Sequence, residues 1–123
     1  MENQTFSDLG INSDILEAIN ELGFEKPSEI QSKAIPILLE DDMDFVGQAQ
    51  TGTGKTAAFG IPLLQKIDPT QKSVQALVLA PTRELAGQVE QELRKFAKYT
   101  GLKTCVIYGG TGYDRQLRTL REA

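Results

Sequence analysis

The chain has 123 residues, of which 40% are hydrophobic and 24% charged, values of a globular domain rather than a disordered segment. One cysteine and no histidine exclude an internal disulfide framework, a Cys/His zinc site, and Ser–His–Asp or Cys–His catalysis built within the chain. The net charge of −4 is unevenly spread: residues 1–81 hold 5 Lys/Arg against 12 Asp/Glu, and residues 82–123 hold 8 against 5. One face of the folded chain is therefore expected to be basic, the alternative being an ordinary solvated helix surface. No apolar run is long enough to span a bilayer, and the start at Met1 lacks the basic and apolar regions of a signal peptide. A cytoplasmic setting with no membrane partner is expected.

In chain order, Ile15, Leu16, Ile19 and Leu22 share one helical face. Asn12 or Ser13 can cap its start, and Gly23 sits where a left-handed terminal glycine belongs. A second helix follows Pro27. Ser28 and Gln31 form its capping-box pattern, its apolar face is Ile30, Ala34, Ile37 and Leu38, and Pro36 introduces an irregularity. The acidic run at 40–42 reads as a loop and 45–49 as a short strand. A helix then runs from the glycine-rich stretch 51–54 towards Lys66, bent or shortened at Pro62, and 68–72 is a polar connector. Residues 74–80 are mostly apolar, the pattern of a strand buried on both faces. A long helix over about 84–99 turns Leu85, Val89, Leu93 and Phe96 inward and ends at Gly101. Residues 105–108 read as the next buried strand, broken by Gly109-Gly110, and 114–121 as a helix with Leu117 and Leu120 inward. Strands alternating with helices imply right-handed βαβ units and a parallel sheet, an α/β fold without repeat or second domain.

The strongest chemical signal is Ala49-Gln50-Thr51-Gly52-Thr53-Gly54-Lys55-Thr56. It matches a phosphate-binding loop with alanine in place of the first glycine. Gly52 and Gly54 let backbone N–H groups turn inward around a phosphate, and the helix start adds its partial positive charge. Lys55 brings a mobile ammonium to the β- and γ-phosphates, and the Thr56 hydroxyl is offered to Mg²⁺. The loop alone does not choose between kinase, GTPase, transporter ATPase and helicase.

The surrounding residues do. Gly23-Phe24-Glu25-Lys26-Pro27-Ser28-Glu29-Ile30-Gln31 precedes the loop, with an isolated Phe6 further upstream. Pro81-Thr82-Arg83-Glu84-Leu85-Ala86 and Gly109-Gly110 follow it. In this order, from Phe6 to the C-terminus, the chain resembles the DEAD-box ATP-dependent RNA helicases of bacterial type: a Q motif at 6–31, motif I at 49–56, motif Ia at 81–86 and a GG motif at 109–110. The resemblance implies a RecA-like P-loop NTPase fold, a parallel sheet with flanking helices, of which residues 1–123 form the N-terminal part of the first lobe. It also implies ATP and Mg²⁺ as cofactors, RNA as the partner, and ATP hydrolysis coupled to local duplex unwinding.

Residue by residue, the resemblance gives Lys55 and Thr56 catalytic roles and makes Thr51 to Thr56 the phosphate site. Gln31 would read adenine, since an amide donates and accepts at once; the alternative is helix capping with Ser28. Phe24 would stack on the base or serve as a core aromatic, and Phe6 would pack against the motif rather than touch the base. Pro81, Thr82 and Arg83 would meet RNA phosphate, with Arg83 alternatively paired to Glu84 or Glu90 on the surface. Gly109 and Gly110 would let a sugar–phosphate backbone come close, or simply end a strand. Arg115, Arg118 and Arg121 read mainly as a solvated helix face. Such contacts are backbone contacts, hence sequence-independent and salt-sensitive.

No Asp-Glu-Ala-Asp occurs in the chain, and the resemblance places that motif beyond Ala123, together with the Ser-Ala-Thr motif and the second lobe with its arginine finger. Lack of the finger alone costs about 10³–10⁵ in rate, so the 123 residues alone are expected not to hydrolyse ATP appreciably. They read as a truncated gene product or a cut piece of a lobe. The rivals are a non-catalytic nucleotide- or RNA-binding fragment and an inert fragment. The family's sheet order also implies that the strand at 45–49 lacks its native neighbours here, leaving a marginal fold prone to self-association along open strand edges.

Overall fold

Among the described residues four helices make up the packed part of the molecule; the starts of two carry side-chain caps, whereas Asn12 before the first and Gly54 before the third make no side-chain cap hydrogen bond. The structure, a computed structural model, describes residues 5–40, 54–109, 116–118 and 120. A short 3-10 turn at Phe6–Leu9 precedes α1 (Ser13–Glu21), α2 (Glu29–Glu40), α3 (Lys55–Lys66) and α4 (Arg83–Phe96). Asn12 is the extended residue before α1, and Gly23 just beyond it takes φ +83°. At the start of α2 the Ser28 amide donates to Gln31 Oε1 at 2.9 Å, and the Gln31 amide donates to Ser28 Oγ at 3.3 Å, so the capping box forms as the spacing predicts. α4 opens on Thr82, whose Oγ1 accepts from the Leu85 amide at 3.1 Å. The helix stops at Phe96, three residues earlier than expected, and a turn then leads to Gly101 at φ +79°.

α2 packs on α3, α3 on α4, α1 on α4, and the 3-10 turn on α2. The core joins Ile15 and Ile19 of α1 to Ile35, Ile61, Leu93 and Phe96. Two expected faces are corrected. On α2 the inward side chains are Gln31, Ala34 and Ile35, with Ile35 fully buried and Ile37 46% exposed. The face is rotated because Gln31, a polar residue, is drawn in towards α3. On α4 Leu93 and Phe96 are buried as expected, whereas Leu85 is exposed.

The larger correction concerns the sheet. Among the described residues no strand is paired with another: 74–80 and 105–108 carry no ladder. Val74, Leu77 and Leu79, expected to be buried on both faces, are 73%, 80% and 86% exposed. A parallel strand is not stable by itself, because its hydrogen bonds and its two covered faces all come from neighbours. Here none of the described segments supplies them. The strand at 45–49 and the acidic loop beyond Glu40 lie outside the described residues, as does most of the helix at 114–121. Of that helix 116–118 is helical, with Leu117 exposed rather than inward. No helix among the described residues is long and apolar enough to cross a membrane.

Candidate nucleotide and RNA site

The start of α3 is built around Gly54. Its φ of +81° is a left-handed conformation that side chains other than glycine's adopt only at a cost. That turn aims the carbonyl of Gly54 at two donors, the Ala58 amide at 3.2 Å and Gln31 Nε2 at 3.2 Å. The approach leaves no room for more: a Cβ on Gly54 would lie 2.1 Å from Gln31 Nε2. Ser28, Gln31 and Gly54 therefore form one hydrogen-bonded unit that ties the start of α2 to the start of α3.

Gln31 is 6% exposed, and each end of its amide makes one hydrogen bond. Oε1 accepts from Ser28 and one Nε2 proton goes to Gly54. A glutamine amide has two donors and two lone pairs, so one of each remains for a base edge. The capping expected as the alternative role of Gln31 is thus present in the structure. Lys55, exposed, and Thr56, half-buried, occupy the first turn of α3, where the first N–H groups lack helical partners and the macrodipole favours anions. Among the described residues no group of three His, Cys, Asp or Glu could hold a metal ion. Thr51, Gly52 and Thr53 lie outside the described residues.

Phe24 sits between two aromatic neighbours, its ring centroid 6.3 Å from Phe6 and 6.0 Å from Phe96, and is 43% exposed. It thus has a core-edge aromatic role and still presents surface to solvent.

At the other candidate surface, Arg83 is not paired with Glu84 or Glu90. Arg94 takes Glu90, and Arg83 Nη2 instead donates to the Gly109 carbonyl at 2.7 Å. The structure thus joins the two sequence segments proposed for RNA, through a contact the spacing could not show. Pro81 and Thr82 are exposed beside it, and Gly110 lies outside the described residues. Tyr108, which the sequence marked only as a strand end, lies under the guanidinium with its ring centroid 5.0 Å from Cζ.

Solved structures align with this arrangement over nearly the whole chain. The RNA helicase Prp28 from Chaetomium thermophilum bound to ADP superposes with a TM-score of 0.84 at 40% identity, over 96% of this chain and 30% of that one. S. cerevisiae Dbp5 bound to RNA and ADP BeF3 gives 0.80 at 35% identity, over 87% and 29%. The fold class is accordingly the α/β, RecA-like fold of the P-loop NTPases, of which this chain carries part. The family follows from sequence. The model of the DEAD/DEAH box helicases matches residues 28–123, and the chain belongs to that family. It is 56% identical over 119 residues to the ATP-dependent RNA helicase DeaD of Escherichia coli (strain K12), covering 96% of this chain and 19% of DeaD. Against the DEAD-box ATP-dependent RNA helicase CshA of Bacillus subtilis (strain 168) the identity is 52% over 118 residues, covering 96% and 24%. The chain thus spans about a fifth to a quarter of the length of these relatives.

Proposed function

We propose that this chain is the adenine- and phosphate-reading part of an ATP-dependent RNA helicase. The observation that carries the proposal is the Gln31 side chain hydrogen-bonded to the Gly54 carbonyl at the start of α3. That bond supports the reading because it ties the amide assigned here to the base to the helix terminus assigned here to phosphate. In this reading Phe24 offers its exposed surface to the base. Gly54 and the Thr51-Gly52-Thr53 segment wrap the phosphates, Lys55 neutralises the terminal phosphates, and Thr56 gives its hydroxyl to the Mg²⁺ that accompanies ATP. The Q motif at 6–31 and motif I at 49–56 form the nucleotide side of the unit. Motif Ia at 81–86 and Gly109-Gly110 form its RNA side, where Pro81, Thr82 and Arg83 meet the sugar–phosphate backbone without reading bases. Coupled hydrolysis and duplex unwinding belong to a protein that also carries a Walker B acid, which these 123 residues lack. The isolated chain is proposed to bind nucleotide without turning it over. The single Cys105 suits a reducing, cytoplasmic setting.

Competition of unlabelled ATP and GTP against a fluorescent ATP analogue tests the adenine reading. ATP is expected to compete better than GTP, and Gln31→Ala to narrow the difference. Equal competition against the parent chain would remove base reading by Gln31.

A further inference from the structure

Arg83 is the first residue of α4, and its side chain reaches across to the segment that ends at Gly109. Two contacts fix the guanidinium there: the hydrogen bond to the Gly109 carbonyl at 2.7 Å, and the Tyr108 ring beneath it at 5.0 Å. A planar cation over an aromatic face is attracted by the ring quadrupole and is confined to one plane. Tyr108 is itself held at its backbone. Its backbone amide donates to Gln116 Oε1 at 3.1 Å. Its hydroxyl approaches α4 at Gly87, where a Cβ would lie only 3.1 Å from it, so a glycine on this turn admits the ring. One of the five guanidinium donors is spent on Gly109, and the others are held on a group that no longer swings freely.

We propose that Tyr108 is a positioning residue for phosphate recognition: it holds the Arg83 guanidinium against Gly109, so that a nucleic-acid phosphate meets a preset donor instead of a mobile side chain. The proposal rests on the reading of 81–83 and 109–110 as an RNA-backbone surface. Preorganisation of this kind raises affinity by removing the ordering cost of binding. A direct Tyr108 contact to RNA would act independently of Arg83. A positioning role acts only through it, and a double-mutant cycle separates the two.

The test is fluorescence anisotropy of a mixed-sequence single-stranded RNA oligonucleotide titrated with the 123-residue chain, with helix content checked by circular dichroism. Tyr108→Leu is expected to weaken binding about five- to tenfold when Arg83 is present, and less than about twofold in an Arg83→Gln background. Tyr108→Phe keeps the ring and is expected to bind like the parent. Arg83→Lys, an exposed change that does not depend on how Tyr108 variants fold, keeps the charge but loses the planar fork; its affinity is expected to fall nearly to that of Arg83→Gln. Equal losses for Tyr108→Leu in both backgrounds, a Tyr108→Phe loss as large as that of Tyr108→Leu, or a lysine variant as tight as the parent would overturn the positioning role and leave the RNA surface standing. Failure of the parent chain to bind RNA would instead remove the RNA surface, and the positioning role with it.

Discussion

Gln31 Nε2 donates to the carbonyl oxygen of Gly54 at 3.2 Å, across 23 residues of sequence. This bond joins the start of α2 to the start of α3. The residue that caps α2 also bonds the turn into α3, so the ends proposed to read the base and to bind phosphate are tied to each other while it lasts. Energetically the pair is favoured because both partners are shielded. A donor left without an acceptor in a nearly buried position would cost about 1–3 kcal/mol.

Gly54→Ala tests the tightness of that turn. The left-handed backbone alone costs about 1–2 kcal/mol once a Cβ is present. The new methyl also meets Gln31 Nε2, since its ideal position lies 2.1 Å away. In urea unfolding, Gly54→Ala is expected to lower stability, and to do so by about 1 kcal/mol less in a Gln31→Ala background, where the clash is gone and only the backbone cost remains. Identical costs in both backgrounds would show that the two residues do not meet.

The link between α1 and the turn after α4 has a predictable pH response. The Tyr99 hydroxyl, and after it the Lys98 ammonium at 3.2 Å, hold the Glu21 carboxyl below its ordinary pKa. A carboxylate depressed in the folded state contributes stability above its unfolded pKa and loses it as pH falls through the depressed value. Glu21→Gln is therefore expected to lower the urea midpoint slightly at neutral pH, and the gap from the parent should close below the ordinary carboxylate range. The effect is small because these side chains are 46% and 59% exposed for Glu21 and Lys98. A gap that widened on acidification would contradict the assignment.

Hydrogen exchange separates the packed helices from the unpaired segments. Residues 74–80 make no ladder with any other described residues, and Leu77 and Leu79 are exposed. Amides there are expected to exchange close to the unstructured rate in a dilute monomer, while those of α3 around Ile61 and Leu64 are protected. Strong, uniform protection across 74–80 would mean that the isolated chain builds a sheet of its own.

Much of the helical scaffold was legible in the sequence because its signals are local. The Ser28–Gln31 spacing gave the α2 cap, Gly23 and Gly101 marked left-handed turns, and the Gly54-Lys55-Thr56 run placed the start of α3. What was not legible depends on partners distant in sequence. The apolar pattern of 74–80 describes what a strand becomes between two neighbours, and it says nothing about whether those neighbours are present. The rotated face of α2 follows from Gln31 reaching Gly54, and the Arg83–Tyr108–Gly109 contacts join segments 25 residues or more apart. No periodicity carries such pairings.

The central claim is that the start of α3 binds nucleoside triphosphate through Lys55. Titration of a fluorescent ATP analogue with Mg²⁺ into the parent chain and into Lys55→Ala addresses it directly. The exposed position of Lys55 on the first turn makes the substitution safe for the fold. Loss of a charge-assisted bond to phosphate is worth roughly 1.5–3 kcal/mol, or about 10–150-fold in affinity. The account predicts measurable, weak binding by the parent and a loss of that size in the variant; equal affinity in the two chains would contradict it.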